Sequence, residues 1–348
     1  MQAERFEPLA NALSPEQLEA RLAGVPRIPL AVLPTPLEEC PRLGAALGIL
    51  LYVKRDDLTG LAFGGNKVRG AEFRLADVVQ QGADTLVMAR EPDSNNARVT
   101  IAACRKLGLD VVLIVPEAWP GQWQGSLLID RLCGADVRFV AGGPAAVDAA
   151  RQGIMRELCD RGKRPIDHDA GDSARVLATV SYVSAALELQ RQCAQYAIRP
   201  DWLFVVSEGA TQAGLVTGAQ SLGLAWKIVG VTYGERPGDQ RPGIAGVARA
   251  AATLLGLEAQ PTDADIISLG DYAGPAFKAL TEEARQAIQL AASTEGLLLD
   301  PIYTGKGMAA LRDQVRRGVV APGATVVFVH TGGLPALFRY GDELVAAG

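Results

Sequence analysis

The sequence predicts an α/β protein on parallel sheets, and three observations predict it. From about residue 50 onward, short apolar runs rich in β-branched residues alternate with Ala-, Leu- and Arg-rich stretches of helical period, the pattern of βαβ units. The length of 348 residues leaves room for about two domains and a substantial core. Glycine, at 38 residues, is abundant and gathers in loops that follow the apolar runs, where backbone must turn tightly or approach something closely.

Taken in order, strands are expected at 51–54, 85–89, 111–115, 137–140, 203–206, 227–232 and 325–330. Helices at 97–106, 125–132, 213–223 and 281–294 are among the elements between them. The clearest unit reads TLVMAREPDSNNARVTIAACRKLGLDVVLIVPE: a strand, a loop, a helix opening near Ser94, and Gly108 stopping that helix before the next strand. The polar, Pro-containing GERPGDQRP at 234–242 reads as an exposed connection.

Composition excludes several classes of function. Lys plus Arg number 34 against 39 Asp plus Glu, a formal charge of −5, so no electrostatic attraction to nucleic acid or to a membrane surface is expected. Two histidines argue against His-dependent metal sites and hydrolytic triads, and no metal is expected. Cys40, Cys104, Cys133, Cys159 and Cys193 are dispersed and odd in number, which suits buried thiols in a reducing cytoplasm. The start, MQAERFEPLANALSPEQLEARL, lacks the apolar run of a signal peptide, and no segment approaches the ~18 apolar residues needed to span a bilayer.

Four loops at strand ends carry the candidate chemistry, each with a plainer alternative. Lys67 follows Gly64, Gly65 and Asn66 into a helix, where a partly desolvated amine suits Schiff-base chemistry; a surface lysine after a glycine turn is the alternative. Ser207-Glu208-Gly209-Ala210-Thr211-Gln212 opens a helix with small residues and suits a phosphate, or is an ordinary helix start. Asp93, Ser94, Asn95 and Asn96 offer donors to a carboxylate, or simply cap a helix. Tyr303 could be a general acid or base, or a packing residue; His168 and His330 read as structural.

In their order and wording, PTPLE, KRDDLTGLAFGGNKVR, SNNARVTIA, GADV, TQAGLVTG, LDPIYTGKGMAAL and FVHTGGLPALF resemble the D-cysteine desulfhydrase and 1-aminocyclopropane-1-carboxylate deaminase family. The L-cysteate sulfo-lyases resemble the same group. The resemblance runs from about residue 26 to 342 and weakens between 116 and 183. It implies a pyridoxal 5′-phosphate (PLP) enzyme of the tryptophan-synthase-β-like fold: two open, twisted, mostly parallel sheets flanked by helices, with PLP in the interdomain cleft. It implies a large PLP-binding domain at 1–69 and 181–348, and an inserted α/β domain at 70–180 carrying the substrate-carboxylate loop. A homodimer acting on a small amino acid is expected.

Carried over by residue, the resemblance makes Lys67 the Schiff-base lysine, with Asn66 and Asn95 at the cofactor. Gly209, Ala210, Thr211 and Gln212 would cradle its phosphate, and Thr331 would face its ring nitrogen. Ser94, Asn95, Asn96 and Tyr303 would hold the substrate, Ser94 and Tyr303 assisting proton transfer. Four positions depart from the family. Gly70 replaces a lysine that helps bind the phosphate, Glu208 replaces a small neutral residue, Asn96 replaces a histidine, and Thr304 replaces the glutamate of the deaminases. Each changed charge is worth on the order of 3 kcal/mol at ~6 Å and an effective dielectric of about 20, so PLP is expected to be held less tightly than in relatives. Asp93 is expected beside the carboxylate site, and HDAGDSARVLATVSYV replaces a Gly-rich substrate loop.

The leading expectation is therefore a PLP-dependent lyase or deaminase that removes an α-proton from a small or modified amino acid and eliminates a β- or γ-substituent. A PLP enzyme of specialised metabolism performing replacement is the first alternative. A catalytically silent ligand- or partner-binding relative is the alternative of another class.

Overall fold

The computed structural model describes residues 12–169, 171–207, 209–234 and 238–345. Among the described residues there are ten strands: β1 (Leu37–Glu39), β2 (Leu50–Lys54), β3 (Thr85–Ala89), β4 (Asp110–Val115), β5 (Asp136–Phe139), β6 (Pro165–Asp167), β7 (Trp202–Val206), β8 (Lys227–Val231), β9 (Ile267–Leu269) and β10 (Thr325–Val329). The main helices are α1 (Pro15–Ala23), α2 (Pro41–Leu47), α3 (Asn66–Gln80), α4 (Asn95–Lys106), α5 (Gly125–Leu132), α6 (Gly143–Asp160), α7 (Ser173–Gln195), α8 (Ala210–Ser221), α9 (Arg241–Leu254), α10 (Glu282–Glu295) and α11 (Thr304–Arg316). No helix among the described residues is long and apolar enough to cross a membrane.

Two sheets form, as expected. The larger has the order β1-β2-β10-β7-β8-β9, with only β1 antiparallel. The smaller, β5-β4-β3-β6, is wholly parallel and built from chain inserted between β2 and β7. Because side chains alternate across a strand, Phe204 and Phe328 bury one face of the larger sheet against α2, α10 and α11. Leu203, Val205, Val327 and Val329 bury the other against α7, α8 and α9. Both faces are covered, which is why these strands read as unbroken apolar runs.

The three unforeseen strands, β1, β6 and β9, have three residues each and lie at sheet edges. Short edge strands carry no apolar run, so periodicity misses them. Helix α8 begins at Ala210 rather than near 213, and the boundaries expected at 69/70 and 180/181 fall inside α3 and α7. Cys40, Cys104 and Cys193 are buried, but Cys133 is half-buried and Cys159 exposed, against expectation. Of the 234–242 segment, residues 235–237 lie outside the described residues, and Arg241 and Pro242 already belong to α9.

The register places the carboxyl ends of β2, β10 and β7 side by side, pairing Val329 with Lys54 and with Val205. Beneath the loop after β2 lies a buried ionic network. Arg69, on α3, donates from Nε and Nη2 to both oxygens of Asp56 at 3.0 and 2.8 Å, and from Nη1 and Nη2 to Glu188 of α7 at 2.9 Å. Tyr182 Oη and Thr35 Oγ1 also donate to Asp56, at 2.6 and 2.8 Å. Lys54 reaches Glu188, the Thr35 carbonyl and Gln192. Burial works to raise the Asp56 carboxyl, but Arg69, Lys54 and Tyr182 hold it below its ordinary value of 3.8. Glu188 is likewise held below 4.5 by Arg69 and Lys54, against the effect of burial.

Removing one partner of a buried pair strands the other charge. Arg69→Met is expected to lower unfolding free energy by about 3–5 kcal/mol, read by urea denaturation. Because both carboxylates have lowered folded pKa values, their contribution is present above 4.5 and is lost as pH falls from there through the folded values. Stability measured as pH falls below 4.5 should drop less steeply in Asp56→Asn, which starts from a lower value; an identical slope would show that Asp56 is not the group titrating.

Candidate active site

The loop after β2 is forced into shape by backbone approaching backbone. At Gly64 (φ 64°) a Cβ would stand 2.1 Å from the Asp57 carbonyl oxygen, and at Gly65 (φ 111°) 2.9 Å from that of Thr331. The Asn66 N–H donates to the same Thr331 carbonyl at 3.0 Å. The turn after β10 is thereby locked against the turn that opens α3, and Lys67 emerges half-buried in the first turn of that helix. It lines a cavity of about 290 Å³ with Asn66, Asn96, Ala210 and Thr211. Two other buried lysines are engaged elsewhere: Lys54 in the ionic network, and Lys306 with the carbonyls of Ala273 and Tyr233.

Asn66 also ties the turn to α8, its Nδ2 donating to Thr211 Oγ1 at 3.1 Å. Within the loop after β7, Ser207 Oγ accepts from the N–H groups of Gly209 and Gln212, each at 3.2 Å. Ala210 and Thr211, whose N–H groups helical bonding leaves unpaired in the first turn of α8, line the cavity. Gln212 departs from expectation: its fully buried side chain donates to the carbonyls of Ile228 and Ile267 and lies over Gly230, away from the cavity. Glu208 lies outside the described residues.

Ser94 caps α4, its Oγ accepting from Ala97 N–H at 3.2 Å. Asn95 Oδ1 accepts from Arg98 Nη2 at 2.8 Å, which directs its Nδ2 donors elsewhere; Asn96 Oδ1 accepts from Thr100 Oγ1 at 3.1 Å. Arg98, wholly buried, reaches the Gly64 carbonyl at 3.4 Å and so joins this loop to the lysine turn. Burial pushes its pKa down to about 10, while Asp130 and Tyr303 act to raise it. Tyr303 rests edge-on against Tyr233 at 4.7 Å, and its N–H donates to Asp300 at 2.9 Å. Ser94, Asn95, Tyr303, Thr331 and Gly209 are not part of the cavity wall; Thr331 contacts the Gly64–Lys67 turn directly, and Asn95 reaches it through Arg98.

Two departures from the family change meaning in three dimensions. Thr304 is fully buried, its hydroxyl donating to Asp300 at 2.7 Å, so it holds the Tyr303 turn rather than facing a substrate. Asp93, expected beside the carboxylate site, instead pairs with Arg339 and lies 3.5 Å from Lys278, clasping the inserted sheet's loop to the chain's C-terminal part.

Sequence reasoning missed the cavity's cations. Arg74, Arg90 and Arg175 line it with Lys67, against one carboxylate among the described residues, Asp169. Arg90 pairs with Asp169 at 2.5 Å. His168, read as a loop residue, is buried and accepts at Nε2 from Arg74 Nη1 at 2.8 Å. An arginine only donates, so this imidazole is neutral with its proton on Nδ1. Burial, and then the Arg74 and Arg90 charges, hold its pKa well below 6.5. His330 is structural, bridging the Leu298 carbonyl and the Gly332 N–H.

Residues 28–332 match the family described as pyridoxal-phosphate dependent enzyme. A 1-aminocyclopropane-1-carboxylate deaminase of Burkholderia vietnamiensis is 38% identical over 328 residues, 91% of this chain and 97% of that protein. A crystal structure of an ACC deaminase homologue superposes with a TM-score of 0.83 at 32% identity, covering 95% of this chain and 98% of the other. Threonine deaminase isoform 2 from Solanum lycopersicum shares the fold, with a TM-score of 0.65 at 16% identity over 100% of this chain and 94% of its own. With its lysine turn and helix terminus set at one cavity, this chain belongs to the pyridoxal-phosphate dependent enzymes.

Proposed function

We propose that the cavity at Lys67 binds PLP and that the enzyme is a lyase of the 1-aminocyclopropane-1-carboxylate deaminase kind, acting on a small or modified amino acid. The observation that carries this reading is the meeting of a lysine, the first turn of α8 and an excess of cations in one cavity. That donor set fits a phosphorylated aldehyde: the amine takes the carbonyl, and unpaired N–H groups with positive charge take the phosphate. When bound, PLP supplies the electron sink for removal of the α-proton.

The protein's part is to hold and move protons. Lys67 Nζ would hold the cofactor through its aldehyde carbon, and the same amine, set at the cavity, would serve as the base. The N–H groups of Asn95 and Asn96, in the first turn of α4, receive the substrate carboxylate. Ser94 Oγ, fixed by its cap bond, keeps its own proton to donate, and Tyr303 is held by Asp300 and Tyr233 as the second proton carrier. With water consumed, the products are ammonia, a 2-oxoacid and, where the substrate carries a leaving substituent, that substituent with its proton. A homodimeric, cytoplasmic enzyme is part of the same reading, supported by the resemblance and by cysteines that stand as free thiols.

The full-length protein loaded with PLP should show visible absorbance of the covalently held cofactor, and Lys67→Ala should lose it. Equal signals in the two, or none in the wild type with PLP added, contradict the assignment. A panel of small amino acids, D-cysteine and 1-aminocyclopropane-1-carboxylate included, should yield ammonia and 2-oxoacid in equal amounts. Tyr303→Phe should lower kcat about 100-fold or more while retaining the cofactor absorbance; an unchanged kcat removes Tyr303 from proton transfer.

A further inference from the structure

We propose that Arg74 and Arg175 together form the counter-charge for the cofactor's phosphate, the buried guanidinium of Arg74 standing where the glycine at 70 leaves space. Position 74 follows position 70 by one helical turn on the same face of α3, and helical side chains lean toward the N-terminus. Arg74 does so: its Nε donates to the Gly70 carbonyl at 3.3 Å and lies 3.7 Å from where a Cβ on Gly70 would be. It is only 6% exposed yet has no carboxylate within ion-pair distance among the described residues. His168 accepts one of its protons but, being neutral, supplies no charge. Burial, and then the Arg90 charge, push the Arg74 pKa down to about 10, with Asp169 acting against them.

Arg175 approaches the same place from α7. Its Nη2 lies 3.5 Å from where a Cβ on Gly209 would be, at the N-terminus of α8. Among the described residues Asp169 is the one carboxylate lining the cavity, and it is held by Arg90, so Arg74 and Arg175 stand without a carboxylate partner there. A dianionic phosphate at the first turn of α8 would meet the helix terminus and two guanidinium groups, the planar donors suited to it.

The proposal rests on PLP being the ligand, and its test separates the two. Apo full-length protein is titrated with PLP and with pyridoxal, which lacks the phosphate, following visible absorbance. The wild type should prefer PLP strongly. Arg74→Met, and separately Arg175→Met at an exposed position, should each weaken PLP about 10- to 100-fold, the effect of one charge-assisted hydrogen bond, with pyridoxal changed less than twofold (about 0.4 kcal/mol). Gly70→Lys added to Arg74→Met should recover PLP affinity by returning a cation one turn earlier. Inorganic phosphate should compete with PLP in the wild type and less so in either variant. Equal losses for PLP and pyridoxal, or unchanged PLP affinity in both variants, overturn the proposal, as does loss of affinity only for dicarboxylic amino acids, which would assign these cations to the substrate. A wild type that binds no PLP removes the functional reading itself.

Discussion

The structure depends on the buried pair between Arg69 and Asp56. Arg69 leaves α3 two residues after Lys67 and is bound by two bonds to Asp56, on the loop after β2, and by two more to Glu188, on α7. One guanidinium thus fixes the helix carrying the lysine to the large sheet and to the helix beneath it. Buried ion pairs are weak sources of net stability but strong constraints on geometry, since a misplaced partner leaves a stranded charge. Here the constraint is spent on the direction in which the first turn of α3 points. The glycine turns at 64–65 and 332 complete it, because their close approach admits no side chain between them.

Above this foundation, topology sets out the chemistry. The adjacent carboxyl ends of β2, β10 and β7 deliver the lysine turn, Thr331 and the first turn of α8 to one place, the position where open parallel sheets bind ligands. The inserted sheet contributes its own strand-end loop, after β3, and Arg98 ties that loop to the Gly64 carbonyl. Asp93 and Arg339 provide a second tie at the far side of the loop. Among the described residues that line the cavity, arginines outnumber carboxylates, and both the proposed phosphate site and the charges assigned to individual arginines follow from that.

Much of this was legible in the sequence because it is local. Apolar runs announced the seven longer strands, and glycine turns after them announced the loops at 64–67, 209–212 and 331–333. What was not legible depends on partners far away in the chain. Asp93 looked like a carboxylate beside the substrate because its partner, Arg339, is 246 residues distant. Thr304 looked like a change in the active site, yet its hydroxyl is bonded to Asp300 four residues before it. The glycine at 70 was read by itself as a lost charge; the helical repeat of four directs attention to Arg74, whose Nε donates to the Gly70 carbonyl. Gln212 belongs to a loop of small residues, and nothing local says that its side chain turns toward β8 and β9.

The central claim is that the amine of Lys67, placed by this arrangement, carries the cofactor. Borohydride reduction of the PLP-loaded protein fixes the cofactor to whichever lysine holds it, and mass spectrometry of the resulting peptides identifies that residue. The account predicts a phosphopyridoxyl group on Lys67. A modification on Lys54 or Lys306, or an unmodified Lys67 in fully loaded protein, would contradict it.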